Sequence, residues 1–248
     1  PITRAWDTHM GKYYAPKNFN LWYFFGVFSL LVLVNQLLTG IWLTMNYVPT
    51  GEGAFASIEY IMRDVEYGWM LRYMHSTGAS AFFVVVYLHM FRGLIYGSYQ
   101  KPRELIWILG MLVYVALMAE GFFGYLLPWG NMSFWGAQVI VSLASAIPIV
   151  GEDLAIWVRG DFNMSGVTLN RFFALHVVLV PLFLLVLVVL HVLALQVAYG
   201  RGIRLCILLE VGLSLCKVLL ERRLLLLISL VLSKLSLHRN ELVTLLCH

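Results

Sequence analysis

Four long apolar segments alternate with polar connections along the chain, at residues 22–46, 69–96, 105–127 and 172–199. Each is near or above the ~20 residues that a helix needs to cross a hydrocarbon core of ~30 Å. Because that core offers no water to backbone groups, unbroken apolar runs favour helices over the alternating strands of a barrel. The pattern predicts an all-α integral membrane protein built on a four-helix bundle.

A fifth apolar segment, residues 128–151, is too short to cross the membrane comfortably. A Pro-Trp-Gly string opens it at Pro128 and a Pro-Ile-Val-Gly string closes it at Gly151, and such strings favour turns. The Asn-Met-Ser string at residues 131–133 is predicted to cap a helix. We therefore predict a helical hairpin between helices three and four, lying along one membrane face.

The pattern changes again after Gly200, where Leu-rich sequence is interspersed with charge. The predicted organisation is a four-helix membrane domain at residues 1–200 and a tail at residues 201–248, which holds a possible fifth or interfacial helix. The three cysteines lie in this tail, and neither their number nor their spacing predicts a disulfide framework or a metal site. They are Cys206, Cys216 and Cys247.

Composition supports the membrane prediction, since 61% of the 248 residues are hydrophobic and 12% are charged. The net charge is +4, but Lys and Arg are scattered near the ends of apolar runs, which gives no support to nucleic-acid binding. The first twenty residues contain no apolar segment before a cleavage site, so insertion is expected to use the first span.

Basic residues flank the apolar segments unevenly. The amino terminus and the connection between spans two and three are basic, whereas the connection between spans one and two is acidic apart from Arg63. In that order, the residues are Arg4, Lys12 and Lys17; then Arg92, Lys101 and Arg103; then Glu52, Glu59, Asp64 and Glu66. Because Lys and Arg favour the cytoplasmic side, both ends of the four-helix unit are predicted to face the cytoplasm.

Histidines supply the candidate chemistry. His75 and His89 lie 14 residues apart on the second span, and His176 and His191 lie 15 apart on the fourth. Fourteen helical steps leave a residue about 40° off its starting face and about 21 Å further along the axis. Fifteen steps overshoot the starting face by about 60°, and a kink at Pro181 would correct this rotation. Two matched pairs provide four axial ligands, enough for two bis-histidine haems at two depths. The alternative is a set of interhelical hydrogen bonds.

Arginines and glycines follow the histidine spacing. Arg72 and Arg92 each lie about one turn outward from a histidine, where they would reach haem propionates or snorkel to the interface. Glycines repeat the 14-residue interval on the first and third spans. A porphyrin edge that lies against a helix needs the backbone to be close, which glycine allows because it has no side chain. Helix packing through small residues is the alternative. The glycines are Gly26, Gly40, Gly110 and Gly124.

These features resemble the cytochrome b of quinol:cytochrome c oxidoreductases, over residues 1 to about 199. The resemblance rests on the histidine and glycine spacings and on the strings RYMHSTGAS, GYLLPWG, SFWGAQVI and LNRFFALH. It implies that His75 and His176 bind a low-potential haem near the periplasm-like side. It implies that His89 and His191 bind a high-potential haem near the cytoplasm-like side. A quinol-oxidation pocket is implied at Phe122, Tyr125, Gly136 and Ile140.

The resemblance also implies a function, partners and a location. Quinol gives one electron to a Rieske iron–sulfur protein and one through both haems to a quinone. The implied assembly is a dimeric, proton-motive complex with a c-type cytochrome in a bacterial inner membrane. No cysteine cluster here would hold an iron–sulfur centre, so that centre belongs to another chain.

Some positions depart from the family pattern. The 15-residue spacing on the fourth span is similar to split cytochromes b of chloroplast-type complexes, whereas SAIPIVGEDLAIWVRGDF is similar to the bacterial respiratory type. Gln196 stands where many relatives have a quinone-site histidine. The Pro-Glu-Trp-Tyr motif, which carries a proton-accepting Glu, does not occur in the 248 residues. Other helices are therefore expected to complete quinol oxidation.

Glu120, in the third span, is open to two interpretations: a proton relay, or a carboxylate with a buried partner. Two other functions compete with the leading one. A dihaem membrane anchor of another quinone-linked dehydrogenase or a hydrogenase would lack the glycine spacing and the surface hairpin. A transporter with histidine relays would bind no haem.

Overall fold

The computed structural model describes residues 19–198, and every regular element in that range is helical. The all-α prediction is therefore confirmed. In chain order the helices are α1 (Phe25–Thr44, entered through a 3-10 turn at Leu21–Phe24), α2 (Gly53–Arg63), α3 (Gly68–Ile95), α4 (Glu104–Leu126), α5 (Asn131–Leu143), α6 (Gly151–Arg159), α7 (Gly166–Ala174), a π-helical turn (Leu175–Leu179) and α8 (Val180–Ala198).

Four helical stretches are long and apolar enough to cross a membrane: Leu21–Thr44, Gly68–Ile95, Glu104–Leu126 and Gly166–Gln196. They confirm the four predicted spans. The fourth span begins before the predicted residue 172. Its first turns carry polar residues, so hydropathy alone did not include them in the predicted span. A capping box at Ser165 sets this start.

The bundle has a small interior, and most of its large apolar side chains point outward. Leu31 on α1 is 64% exposed and Ile95 on α3 is 68% exposed, as expected of side chains that face lipid. Lipid tails are as apolar as these side chains, so helix association depends on close packing and polar contacts. The buried core consists of Leu33, Phe82, Val86, Ala116, Leu117, Leu184 and Leu187.

A second buried cluster joins the surface helices to the ends of the spans. It consists of Ala54, Leu126, Ala137, Val141, Met164, Leu169 and Phe172. Beside it, the Tyr47 hydroxyl donates a hydrogen bond of 2.6 Å to the Leu127 carbonyl oxygen. Burial raises the pKa of Tyr47, which keeps this hydroxyl protonated as a donor. The contact ties the loop after α1 to the end of α4.

The surface hairpin exists, but its predicted bounds were wrong. Residues 128–151 contain only its first arm, α5, and the second arm is α6, which ends at Arg159. The predicted hairpin ended too early because α6 is short and amphipathic, with Ala155 buried and charged residues outside. The predicted side-chain cap is also wrong, since Gly130 is the N-cap residue and no side chain caps α5.

Helix α2 was not predicted at all. It occupies the acidic connection between the first two spans, where charged residues conceal an amphipathic pattern. Ala54, Ser57 and Ile61 form its buried face. The acidic residues of this connection therefore lie on or beside an ordered surface helix.

The extra residue between His176 and His191 is accommodated by the π-helical turn. Here the Val180 amide donates to the Leu175 carbonyl oxygen, five residues back. A π turn takes in one residue more than an α-helical turn, about 100° of rotation, so the 15-residue spacing behaves as 14 would. The irregularity immediately precedes Pro181, whose missing N–H cannot continue the α-helical pattern.

Predictions on residues 1–18 and 199–248 lie outside the described residues. They include the amino-terminal basic residues, the 201–248 tail and its cysteines. Of the compact unit that begins at Val192, only the continuation of α8 is described. All candidate haem residues lie in the compact unit that ends at His191.

Candidate haem-binding site

The four histidines form two pairs across helices α3 and α7–α8. His75 faces His176 with ring centroids 6.1 Å apart and ring planes at 88°. His89 faces His191 with centroids 6.3 Å apart and planes at 75°. Each pair therefore takes one histidine from each of the two helices.

The separation of the rings fits a shared metal. An iron midway between two imidazoles, ~2 Å from each ligating nitrogen, places the ring centroids about 6 Å apart. Both pairs have this separation, which is too long for a direct hydrogen bond between the rings. The histidines of a pair are therefore not bonded to each other, and the interhelical hydrogen bonds that His75 and His176 do make, to Thr39 and Glu120, use Nδ1.

Thr39 fixes the protonation of the His75 ring. Its hydroxyl donates to the Asn35 carbonyl oxygen at 2.7 Å and lies 3.0 Å from His75 Nδ1. A hydroxyl has one hydrogen, so the contact with His75 must be a bond donated by Nδ1–H. That tautomer leaves the Nε2 lone pair of His75 available for a metal.

Glu120 has the corresponding effect on His176. The Nδ1 of His176 lies 3.0 Å from the backbone carbonyl oxygen of Glu120 and 3.0 Å from its carboxylate Oε1. Both oxygens are acceptors, so Nδ1 carries the hydrogen and Nε2 is free to bind. Of the two sequence interpretations of Glu120, the structure provides the buried partner.

The His89 and His191 pair has fewer polar neighbours. His191 Nδ1 is buried and has no hydrogen-bond partner among residues 19–198, although the backbone of Ile106 lies beside it. The two sites thus share their ligand geometry but differ in the groups that surround their ligands.

The four spaced glycines each lie against one histidine ring. A Cβ atom would meet the ring Cε1 at 3.0 Å for Gly26 on His89, 3.1 Å for Gly40 on His75, and 3.1 Å for Gly110 on His191. At Gly124 the distance to His176 would be 2.5 Å. The interpretation from sequence was room for a porphyrin edge; the contact that the structure provides is with the imidazole itself.

The two arginines lie one turn from the histidines on α3. Arg92 lies over the Tyr23 ring, with Cζ 4.3 Å from its centroid, and its buried Nε has no hydrogen-bond acceptor in the described part of the chain. Arg72 is half-buried near His75. A buried guanidinium nitrogen without an acceptor fits an anionic group such as a propionate.

The four predicted quinol-pocket residues are only partly brought together. Tyr125 and Ile140 are about half exposed, and a Cβ on Gly136 would lie 3.7 Å from the Tyr125 ring. Phe122 instead packs in the second core against Phe172, with centroids 5.6 Å apart. A shallow depression beside these residues is lined by Asn131, Met132, Trp135, Gly136 and Val139.

Sequence reasoning missed a group of polar side chains on α1 that hydrogen-bond to α3 beside His75. Gln36 donates to the His75 carbonyl oxygen at 2.8 Å, and Asn35 donates to the Met74 carbonyl oxygen at 3.2 Å. With Thr39, they form the polar face of α1 that packs against α3. Two adjacent amides and a threonine close to Gly40 inside an apolar span would have been the signal.

The chain is similar to known proteins over most of its length. The family described as cytochrome b/b6/petB matches residues 10–199. Cytochrome b of Allochromatium vinosum is 62% identical over 196 residues, which cover 79% of this chain and 47% of that protein. Cytochrome b of Arabidopsis thaliana is 51% identical over 202 residues, or 82% of this chain and 51% of that protein.

Among solved structures, a chain of a hyperthermophilic respiratory Complex III matches with a TM-score of 0.75 and 38% identity, over 79% of this chain and 53% of that one. The chain thus spans about half the length of the relatives it matches. Family match, relatives and fold confirm the resemblance in the sequence: the chain belongs to the cytochrome b/b6/petB family.

Proposed function

We propose that this chain transfers electrons across a membrane through two b-type haems, between a quinol-oxidation and a quinone-reduction site. The observation that carries the proposal is the presence of two histidine pairs with centroids 6.1 Å and 6.3 Å apart, on the same two helices. The complete complex is a proton-motive quinol:cytochrome c oxidoreductase of the bacterial inner membrane.

The chain's own residues would hold the haems as follows. His75 and His176 bind one, and His89 and His191 bind the other, each through Nε2. Held by two histidines, each haem would supply reversible one-electron transfer. Arg72 and Arg92 receive the propionates.

The helices determine where the electron can travel. Fourteen residues of α3 separate His75 from His89, about 21 Å along the helix axis, so the sites lie at different depths. Between them the core is apolar, with Phe82, Val86 and Leu117 buried. This packing excludes water from the path between the sites.

Quinol oxidation is proposed at the end of the bundle that holds His176. Tyr125 and Gly136 lie together there, with Ile140 one turn beyond Gly136 on α5 and Phe122 one turn before Tyr125 on α4. The proposed partners are a Rieske iron–sulfur protein, a c-type cytochrome and the remaining cytochrome b helices, in a dimeric complex.

A difference spectrum tests the proposal. The purified chain in detergent, reduced with dithionite, should show two b-type haems per chain that can be separated by redox titration. A histidine-relay transporter would contain none, and absence of haem after expression with sufficient haem supply would refute the proposed function.

Turnover provides a second test. The 248 residues alone should allow haem reduction but no inhibitor-sensitive reduction of cytochrome c by quinol, because no general base of the Pro-Glu-Trp-Tyr kind occurs among them. The measurement compares the isolated chain with the assembled complex. Inhibitor-sensitive turnover by the isolated chain would contradict the proposed division of the site.

A further inference from the structure

Glu120 is an unusual residue for its place in the bundle. Among the four described spans it is the one acidic residue apart from Glu104, which begins α4 at the exposed end. Its side chain is 17% exposed, and the side chain of His176 is 16% exposed. A carboxylate inside a span is costly unless something compensates its charge.

The described surroundings compensate only part of that cost. Oε1 lies 3.0 Å from His176 Nδ1, and Oε2 is buried with no hydrogen-bond partner among the described groups. A neutral imidazole N–H offsets less charge than a cation would. The arrangement therefore favours additional positive charge at the far side of the His176 ring.

An iron bound at His176 Nε2 would carry that positive charge. A carboxylate close to Nδ1–H makes the imidazole more electron-donating, as in carboxylate–histidine–metal triads. It also stabilises the oxidised, more positive state of the metal, which lowers the reduction potential.

The other histidine pair lacks this feature. No acidic side chain contacts His89 or His191 in the described part of the chain, and His191 Nδ1 makes no hydrogen bond there. The two sites have the same kind of ligand and similar ring separations, 6.1 Å and 6.3 Å between centroids. The carboxylate is thus a difference that acts on one haem alone.

We propose that Glu120 is a positioning residue that, through its contact with His176, holds the reduction potential of the haem at His75 and His176 below that of the other haem. The inference rests on the proposed function, since it requires both haems to bind.

The test is a redox titration of both haems in the purified chain, with haem absorbance as the readout. Glu120→Gln keeps the volume and an acceptor oxygen but removes the charge. It should keep two haems and move the potential of the His75/His176 haem in the positive direction. The His89/His191 haem, titrated in the same sample, should stay unchanged.

Glu104→Gln is the matched control, because it removes the same charge from the exposed start of the same helix and should move neither potential. An unmoved potential in Glu120→Gln with both haems present would overturn the inference and leave the proposed function intact. Loss of the haem from Glu120→Gln would also overturn it, since that variant retains an acceptor for the ring. A wild-type chain without haem would refute the proposed function itself.

Discussion

Replacing His176 with alanine should remove one haem and leave the other. In the proposed arrangement each haem takes one ligand from α3 and one from the α7–α8 span, so the loss of His176 would leave His75 without its partner imidazole. Haem content per chain should fall to about half, measured as pyridine haemochrome. The remaining haem should titrate as the higher-potential one.

His191→Ala is the reciprocal control. It should also halve the haem content, but the haem that remains should be the low-potential one, because His191 pairs with His89. Loss of both haems from each of the single substitutions would count against two separate sites.

Gly124→Val should have the second largest effect, the loss of most haem from the His75/His176 site. Even a Cβ at this position would lie 2.5 Å from His176 Cε1, and a valine adds two further methyl groups. The ring would have to turn away from its partner. Haem content and the amplitude of the low-potential component in a redox titration measure the result.

Three other glycines show whether contact distance explains the effect. Gly40→Val should weaken the same site less severely, since its Cβ would lie 3.1 Å from His75. Gly110→Val should affect the other haem through His191. Gly130→Ala should leave both haems in place, because its Cβ would be 3.9 Å from the nearest side chain, Phe55. Normal haem content in Gly124→Val would remove the basis for assigning the glycines to the sites.

The placement of the histidines along each helix was predictable because of simple periodicity. Fourteen residues is close to four helical turns, so the spacing of His75 and His89 already requires one face and two depths. The same arithmetic predicts the glycine rows. The four spans followed from hydropathy, since a bilayer requires a minimum apolar length.

Amphipathic surface helices were harder to predict. Helix α2 and the second arm of the hairpin, α6, mix charged and apolar residues over 11 and 9 positions. Over so few turns the apolar stripe is weak, and what orders these helices is packing against the ends of the spans. The fourth span also began earlier than hydropathy indicated, through the cap at Ser165.

By itself the sequence determined the number of membrane helices, through hydropathy, and the intervals between the histidines and between the glycines, which depend only on spacing along one helix. Tertiary structure alone decided the rest. A π-helical turn before Pro181, which takes in one extra residue, brings His176 and His191 back onto one face. Thr39 and Glu120 set the tautomers of His75 and His176. Those contacts join residues 36 and 56 positions apart, and no periodicity within a single helix encodes which side chain of a neighbouring helix will meet a given ring.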